Sequence, residues 1–359
     1  MIPDEPVRGA YPELELLGLS GYEQMEVWLA RKGPIAPIGR LIGGVMEEFN
    51  FESASFSMPA TPWLQTAAGP FPGAASLLIG DITMGSSVLV AMPPATVFAT
   101  AQIAVTFVRP AGVESEVLRA HSTKVHVSPV LALSDLVVED SQGRLLAHGS
   151  SRQVVFPPID PPPTPLDEWP PTPPSEHDTP DPYLRPVEGE VWPQEIFDRL
   201  NGLEQIRGYM AGELPPSPLG ILLGWETLEA EEGRVRCTIP ASEWFASATR
   251  TVYGGVLALF ADGTLVNAAG TLLPAGGSLA SLDLSLNFLR PVFPDGRPLT
   301  AEARVIHHGK QIVVASVEIT NADGKVVVLG KSTVLLLPDR PWSEAAQGAT
   351  EHRASDAPE

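Results

Sequence analysis

The sequence predicts an α+β protein built from two copies of one domain in a single chain. Three observations carry that expectation. First, a gapless offset of 181 residues (262 − 81) lays the second half on the first, pairing Asp81 with Asp262. The same offset pairs Pro59, Ala60 and Trp63 with Pro240, Ala241 and Trp244, and Phe107, Arg109 and Pro110 with Phe288, Arg290 and Pro291. Second, each copy centres on one apolar, helix-like stretch holding a single acid: residues 73–92 around Asp81 and 253–273 around Asp262. Third, the segments around each stretch are rich in Val, Ile, Thr and Phe, a composition that favours strands. A period this long marks a duplicated domain, since solenoid repeats run roughly 20–50 residues. Two such copies are expected to pack on each other as an internal pseudo-dimer.

Composition narrows the function. The 359 residues suit about two domains. A formal net charge of −20 argues against nucleic acid and anionic membrane surfaces, which need clustered Lys and Arg. Cys237 is the only cysteine, which excludes an intramolecular disulfide and a cysteine metal cluster and points to a reducing, cytoplasmic setting. The N-terminus shows neither the basic nor the apolar region of a secretory signal, and no apolar run reaches the roughly 20 residues that span a bilayer.

In chain order, residues 1–13 are Pro-rich and acidic and are expected to be loose. The first domain covers 14–157. It reads as a helix over 14–30 broken near Gly18 and Gly21, strands around 38–49 and 53–58, the apolar helix, and strands around 97–108, 116–126, 131–139 and 145–156. Residues 158–193 are Pro-rich and acidic, a composition that forms no regular element. They read as a linker with polyproline character, the sharper alternative being a Pro-rich motif for a partner domain. The second domain, 194–338, repeats the order and opens with a helix over 194–210; residues 339–359 read as a disordered tail.

A carboxylate inside an apolar helix is costly unless it is paired or used. One such Asp could be structural. Two at matched positions, each behind a matched glycine (Gly73 and Gly254), favour chemistry. Those glycines also suit a turn at positive φ or close packing. His307 and His308 read as surface residues, Cys237 as a small buried one, and Trp63 and Trp244 as packing for the approach to each helix.

The run YGGVLALFADGTL, followed by SLDLSLNFLRPV and LTAEARVIHHGKQIVVASVEITNADGKVV, resembles the PaaI-type acyl-CoA thioesterases of the hotdog superfamily. The resemblance covers about 197–338 well and 16–157 more weakly. It implies an antiparallel sheet wrapped around one long central helix, with two units joining their sheets and forming active sites where they meet. Two copies in one chain would make a double hotdog, and a homo-oligomer of such chains is compatible with it. The implied activity is hydrolysis of an acyl-CoA without a metal or redox cofactor. Asp81 and Asp262 would supply the carboxylate, and the N–H groups of Gly73 and Gly254 the oxyanion donors. In the family these parts come from opposite units, so Gly254 would serve Asp81 and Gly73 would serve Asp262. Thr100 and Ser281 would assist from the following strand.

Tyr253-Gly254-Gly255 stands where His-Gly-Gly is frequent, and Thr66 and Ser247 stand where Asn or Gln is frequent. Tyr253, a packing or pocket-wall residue, and Gly255 would contact substrate. Arg290 and Lys310 would meet the CoA phosphates; Arg109 matches Arg290, whereas Pro129 stands in the place of Lys310. Three other functions are weighed beside this one. They are a non-catalytic acyl-CoA binding protein, a hotdog hydratase or dehydratase (ranked lowest, because neither helix approach carries a His), and a scaffold acting through the Pro-rich segment.

Overall fold

The computed structural model describes residues 4–169 and 177–342. After a 3-10 turn over Leu14–Gly18, helix α1 spans Gly21–Leu29 and starts at a Ser20–Glu23 capping box. Helix α2 (Pro37–Ile42) and strands β1 (Val45–Phe49) and β2 (Ser53–Pro59) follow. A 3-10 turn at Gly73–Ser76 then leads into helix α3 (Leu77–Leu89). The first half closes with β3 (Phe98–Phe107), β4 (Val117–Val127), β5 (Leu131–Glu139) and β6 (Leu145–Val155).

The second half opens with α4 (Gln194–Arg199), α5 (Gly202–Met210), capped by an Asn201–Glu204 box, and α6 (Pro218–Leu223). Next come β7 (Glu226–Glu231), β8 (Arg234–Pro240) and helix α7 (Gly254–Gly270). Strands β9 (Ser278–Ser281), β10 (Asp283–Phe288), β11 (Pro298–His308), β12 (Ile312–Thr320) and β13 (Val326–Leu337) complete it. The 181-residue offset carries α1 onto α5, α2 onto α6, β2 onto β8, β4 onto β11 and β5 onto β12, and the whole of 73–89 onto α7.

Two sequence expectations need correction. Residues 38–49 do not form one strand. Pro37 sits in the first turn of α2, where its fixed φ is helix-compatible, and Gly43 at φ 67° ends that helix before β1 begins. The helix expected over 194–210 is two helices, with Leu200 extended between them.

Among the described residues the strands form one antiparallel sheet of thirteen, ordered β1-β2-β4-β5-β6-β3-β10-β13-β12-β11-β8-β7, with β9 beside β13. The order reads the same from both ends under the offset. The two halves join between β3 and β10, where Ala104 faces Ser285, the one pair of this seam that is a full offset apart, and Asp283–Thr106 mirrors Asn287–Gln102. The pseudo-twofold therefore passes through the Ala104–Ser285 pair.

Helices α3 and α7 lie inside the curve of this sheet and pack on each other. Each is apolar almost all round, which requires burial on every side. Trp63, Trp244, Phe245 and Phe260 are fully buried, and one apolar cluster runs through both halves. Fully burying a single large apolar side chain contributes about 1.5–3 kcal/mol, so a shared core ties the stability of one half to the other.

Neither flanking segment is free. Arg8, in the N-terminal arm expected to be loose, is 4% exposed and donates to Pro180 O (2.7 Å) and Thr179 Oγ1 (2.8 Å). Arg40 pairs with Asp181 at 3.3 Å, Arg185 with Glu5, and Trp63 Nε1 donates to Arg185 O (3.3 Å). A 3-10 turn at Pro182–Leu184 interrupts the Pro-rich segment. Residues 179–192 thus form a strap docked on both halves rather than a bare spacer, with Trp192 donating its N–H to Ala67 O and its Nε1–H to Pro215 O. Of the expected tail, residues 343–359 lie outside the described residues, while Trp342 packs beside Phe197. No helix among the described residues is long and apolar enough to cross a membrane.

Candidate active site

The contact between α3 and α7 places each acid beside the N-terminus of the opposite helix. Asp262 Oδ2 accepts the Ala74 N–H at 3.0 Å and Oδ1 accepts the Ser281 hydroxyl at 2.8 Å. Ser281 Oγ also lies 3.2 Å from Ser332 Oγ. In the other half, Asp81 Oδ1 accepts the Thr100 hydroxyl at 3.2 Å, and the Gly255 N–H hydrogen-bonds the same carboxylate. Ala74 and Gly255 are offset partners, as are Thr100 and Ser281, so one cross-domain circuit is drawn twice.

Burial pushes both acids up to about 6, outweighing the donors that favour the charged form. At Asp262 the nearby Asp283 charge adds to the rise. Such an acid is ionised at neutral pH yet still a useful base.

Gly73 and Gly254 do not adopt positive φ. Their role is close approach: a Cβ at 254 would lie 2.5 Å from Asp81 Oδ2, and one at 73 would lie 2.5 Å from the Phe107 ring. As first residues of their helical segments, both carry N–H groups without an intrahelical acceptor. Among the described residues neither N–H finds another acceptor.

The space in front of the two acids differs. A cavity of about 660 Å³ reaches Gly73, Phe107 and Arg109 from the first half and Gly263 and Ser281 from the second. That volume is within the roughly 300–1,000 Å³ of small-molecule sites. One wall is the face of α7 bearing Gly263, Val266, Asn267 and Gly270, at the i, i+3, i+4, i+7 spacing of a single helix face. Two glycines on that face leave room for a ligand. Trp192, Phe197 and Trp342 also line the cavity, with successive ring centroids 5.9 and 6.1 Å apart. The docked strap and the end of the described chain thus complete this site.

At Asp81 the corresponding position holds a tyrosine where the other copy has Pro72. Tyr253, 7% exposed, reaches α3, where its hydroxyl accepts the Ile82 N–H at 2.6 Å. Its ring lies against Gly255, whose added Cβ would be 2.6 Å from Tyr253 Cε1. Burial, then the neighbouring Asp81 charge, raises the phenol well above its ordinary pKa. Pro72 is the offset partner of Tyr253, and Ile82 and Leu89 are the partners of Gly263 and Gly270.

The remaining expected site residues are dispersed. Thr66 lines the large cavity, but its hydroxyl is committed to Pro70 O at 2.8 Å. Ser247 Oγ lies 2.9 Å from Thr249 Oγ1 within its own loop. Arg109 lines the cavity and donates to Leu145 O at 3.1 Å. Arg290 donates to Val326 O, and Lys310 is exposed at the β11–β12 turn; neither lines the cavity. Cys237 is buried with its thiol pushed up to about 12, which leaves no thiolate for attack. Sequence reasoning missed Trp192, Phe197, Trp342 and Gly263. Only Gly263 had a readable signal, a helix glycine opposite an isoleucine in the other copy.

Known proteins agree with this architecture. The family profile described as "Thioesterase superfamily" matches residues 250–328. The acyl-coenzyme A thioesterase PaaI of Escherichia coli K12 is 35% identical over 113 residues, covering 31% of this chain and 77% of PaaI. The solved tesB protein of Mycobacterium avium subsp. paratuberculosis aligns with a TM-score of 0.51 at 14% identity, covering 82% of this chain and 96% of that one. That likeness is one of fold, and it extends across both halves. The chain belongs to the thioesterase superfamily, as a hotdog protein carrying the fold twice.

Proposed function

We propose that the chain hydrolyses an acyl-CoA, or a similar acyl thioester, at the Asp262 site. The observation that carries this reading is the junction of a ligand-sized cavity with Ser281 and Gly73, directly against the buried Asp262. Asp262 itself is 0% exposed, so its proton traffic runs through Ser281, which lines the cavity and whose hydroxyl donates to the carboxylate.

A water in the cavity gives a proton to Ser281 Oγ as Ser281 passes its own to Asp262. The hydroxide adds to the thioester carbon. The carbonyl oxygen becomes an oxyanion, stabilised by the uncommitted Gly73 N–H at the helical N-terminus. Collapse breaks the C–S bond; the CoA thiolate leaves and takes the proton back from Asp262 through Ser281. The acyl group occupies the apolar end of the cavity, under the three aromatic side chains. Arg109 and Arg340, both lining the cavity, supply local positive charge for an anionic CoA tail on a chain of net charge −20.

Free-thiol release from a panel of acyl-CoAs tests this reading. Release from at least one acyl-CoA is expected. The complete seclusion of Asp262 favours one rival, a binding protein without turnover, and tight acyl-CoA binding with no release across the panel would select that rival.

A further inference from the structure

We infer that the Asp81 site is closed to substrate, with Tyr253 as the residue that closes it, so that the chain works one acyl thioester at a time. The inference deepens the proposed thioesterase function and rests on it. The two sites have the same polar parts, so the difference must be argued from space.

One offset pair carries that difference. The helix faces themselves trade bulk in both directions, since Gly263, Val266, Asn267 and Gly270 of α7 correspond to Ile82, Gly85, Ser86 and Leu89 of α3, and Ile82 is 40% exposed. Where the open site has Pro72, the other has Tyr253, whose ring reaches α3 and is fixed at its far end by the Ile82 N–H. Tyr253 is held at its base as well, since its own N–H donates to Phe245 O at 2.8 Å. A side chain anchored at both ends and buried beside Asp81 stands in the path an acyl group would take toward that carboxylate.

Asp81 retains 7% exposure against 0% for Asp262. Contact of the acid with solvent is therefore not what separates the sites; room for an acyl group is. The two sides also differ at the position of the cavity-lining Trp192. Tyr11, the offset partner of Trp192, donates to Glu243 at 3.2 Å and lies under the Arg250 guanidinium, 4.5 Å from the ring centroid.

The test counts sites and then opens the closed one. Calorimetric titration of the wild-type chain with the S-alkyl-CoA thioether matching the panel's best acyl-CoA should give one bound ligand per chain. Tyr253→Ala should raise that to two. Alanine is the right exchange at 253, because proline would remove the N–H that bonds Phe245. In an Asp262→Asn background the same exchange should restore at least tenfold of the lost turnover, and adding Asp81→Asn should remove it again. Two ligands per wild-type chain, or an Asp262→Asn protein keeping half of wild-type turnover, would overturn the closed site while leaving the thioesterase function standing. Absence of both binding and release in the wild type would overturn the function and this inference with it. Should the opened variant fail to fold, the wild-type stoichiometry and the Asp262→Asn turnover still decide.

Discussion

Around Asp262, Pro72 stands at the start of the opposite helical segment; around Asp81, its offset partner Tyr253 stands there and reaches across to the Ile82 N–H. The hydrogen bonds of the two acids are nearly the same. Each acid accepts one hydroxyl from the following strand and one N–H from the opposite helix. The contrast teaches that a matched polar circuit does not by itself tell the two sites apart. A buried carboxylate must keep its donors whether or not substrate ever reaches it, because an unsatisfied buried charge costs several kcal/mol. Space carries no such obligation and can be lost to one side chain.

Experiments that break or sharpen this contrast can be ranked by expected effect. Asp262→Asn should lower kcat by at least ~100-fold, the scale of lost general-base catalysis. Steady-state assays with saturating acyl-CoA measure it, and a loss of only twofold would mean that the halves share the work.

The pH profile comes next. Burial raises Asp262 to about 6, and the base must be ionised to act. kcat/KM should therefore level off above pH 7 and fall about tenfold per unit below pH 6. An acid limb centred near 4 would indicate a solvated carboxylate elsewhere.

Trp342→Ala removes one aromatic side chain from the open cavity. It should raise KM roughly tenfold for the preferred acyl chain with a smaller change in kcat, since the ring binds ground and transition states alike. Gly254→Ala drives a Cβ to within 2.5 Å of Asp81 Oδ2 and should destabilise the fold by about 1–3 kcal/mol in denaturant unfolding.

Asp81→Asn should have the smallest effect, and its sign is opposite. The folded-state pKa of about 6 is above the ordinary 3.8. Proton binding thus favours the folded wild type below pH 4, and that contribution is lost as pH rises through 6. The amide, which never ionises, should be more stable than wild type by about 1 kcal/mol at pH 7–8, with the advantage gone below pH 4. An advantage that grows on acidification would contradict the assignment of burial as the cause.

Much of the fold was readable from residues alone. The 181-residue offset located both central helices and matched strands, because glycines, prolines and tryptophans at fixed spacing report backbone geometry that both copies need. The helix at Pro37–Ile42 was hidden by its Ile and Leu content, which suits a strand equally well; Pro37 and Gly43 were the punctuation that decided it. The strap was misjudged because composition reports what a segment cannot form, not what it docks on. Arg8 and Asp181, 173 positions apart, meet only in the folded chain. At the site, Asp262, Ser281 and Gly73 were legible from matched spacing. Tyr253 was legible as a departure from the family pattern, but its reach to Ile82 was not, since the direction of its side chain depends on how α7 meets α3. Trp192, Phe197 and Trp342 come together from a strap, a short helix and a chain end, and no periodic pattern links them.

The central claim is that one acyl thioester binds at the Asp262 site. A crystal structure of the wild-type chain with a bound S-alkyl-CoA thioether tests it most directly. The account predicts one ligand per chain, its sulfur beside Ser281 and its alkyl chain beneath Trp192, Phe197 and Trp342. A ligand seated between Asp81 and Gly254, with the Asp262 cavity empty, would contradict it.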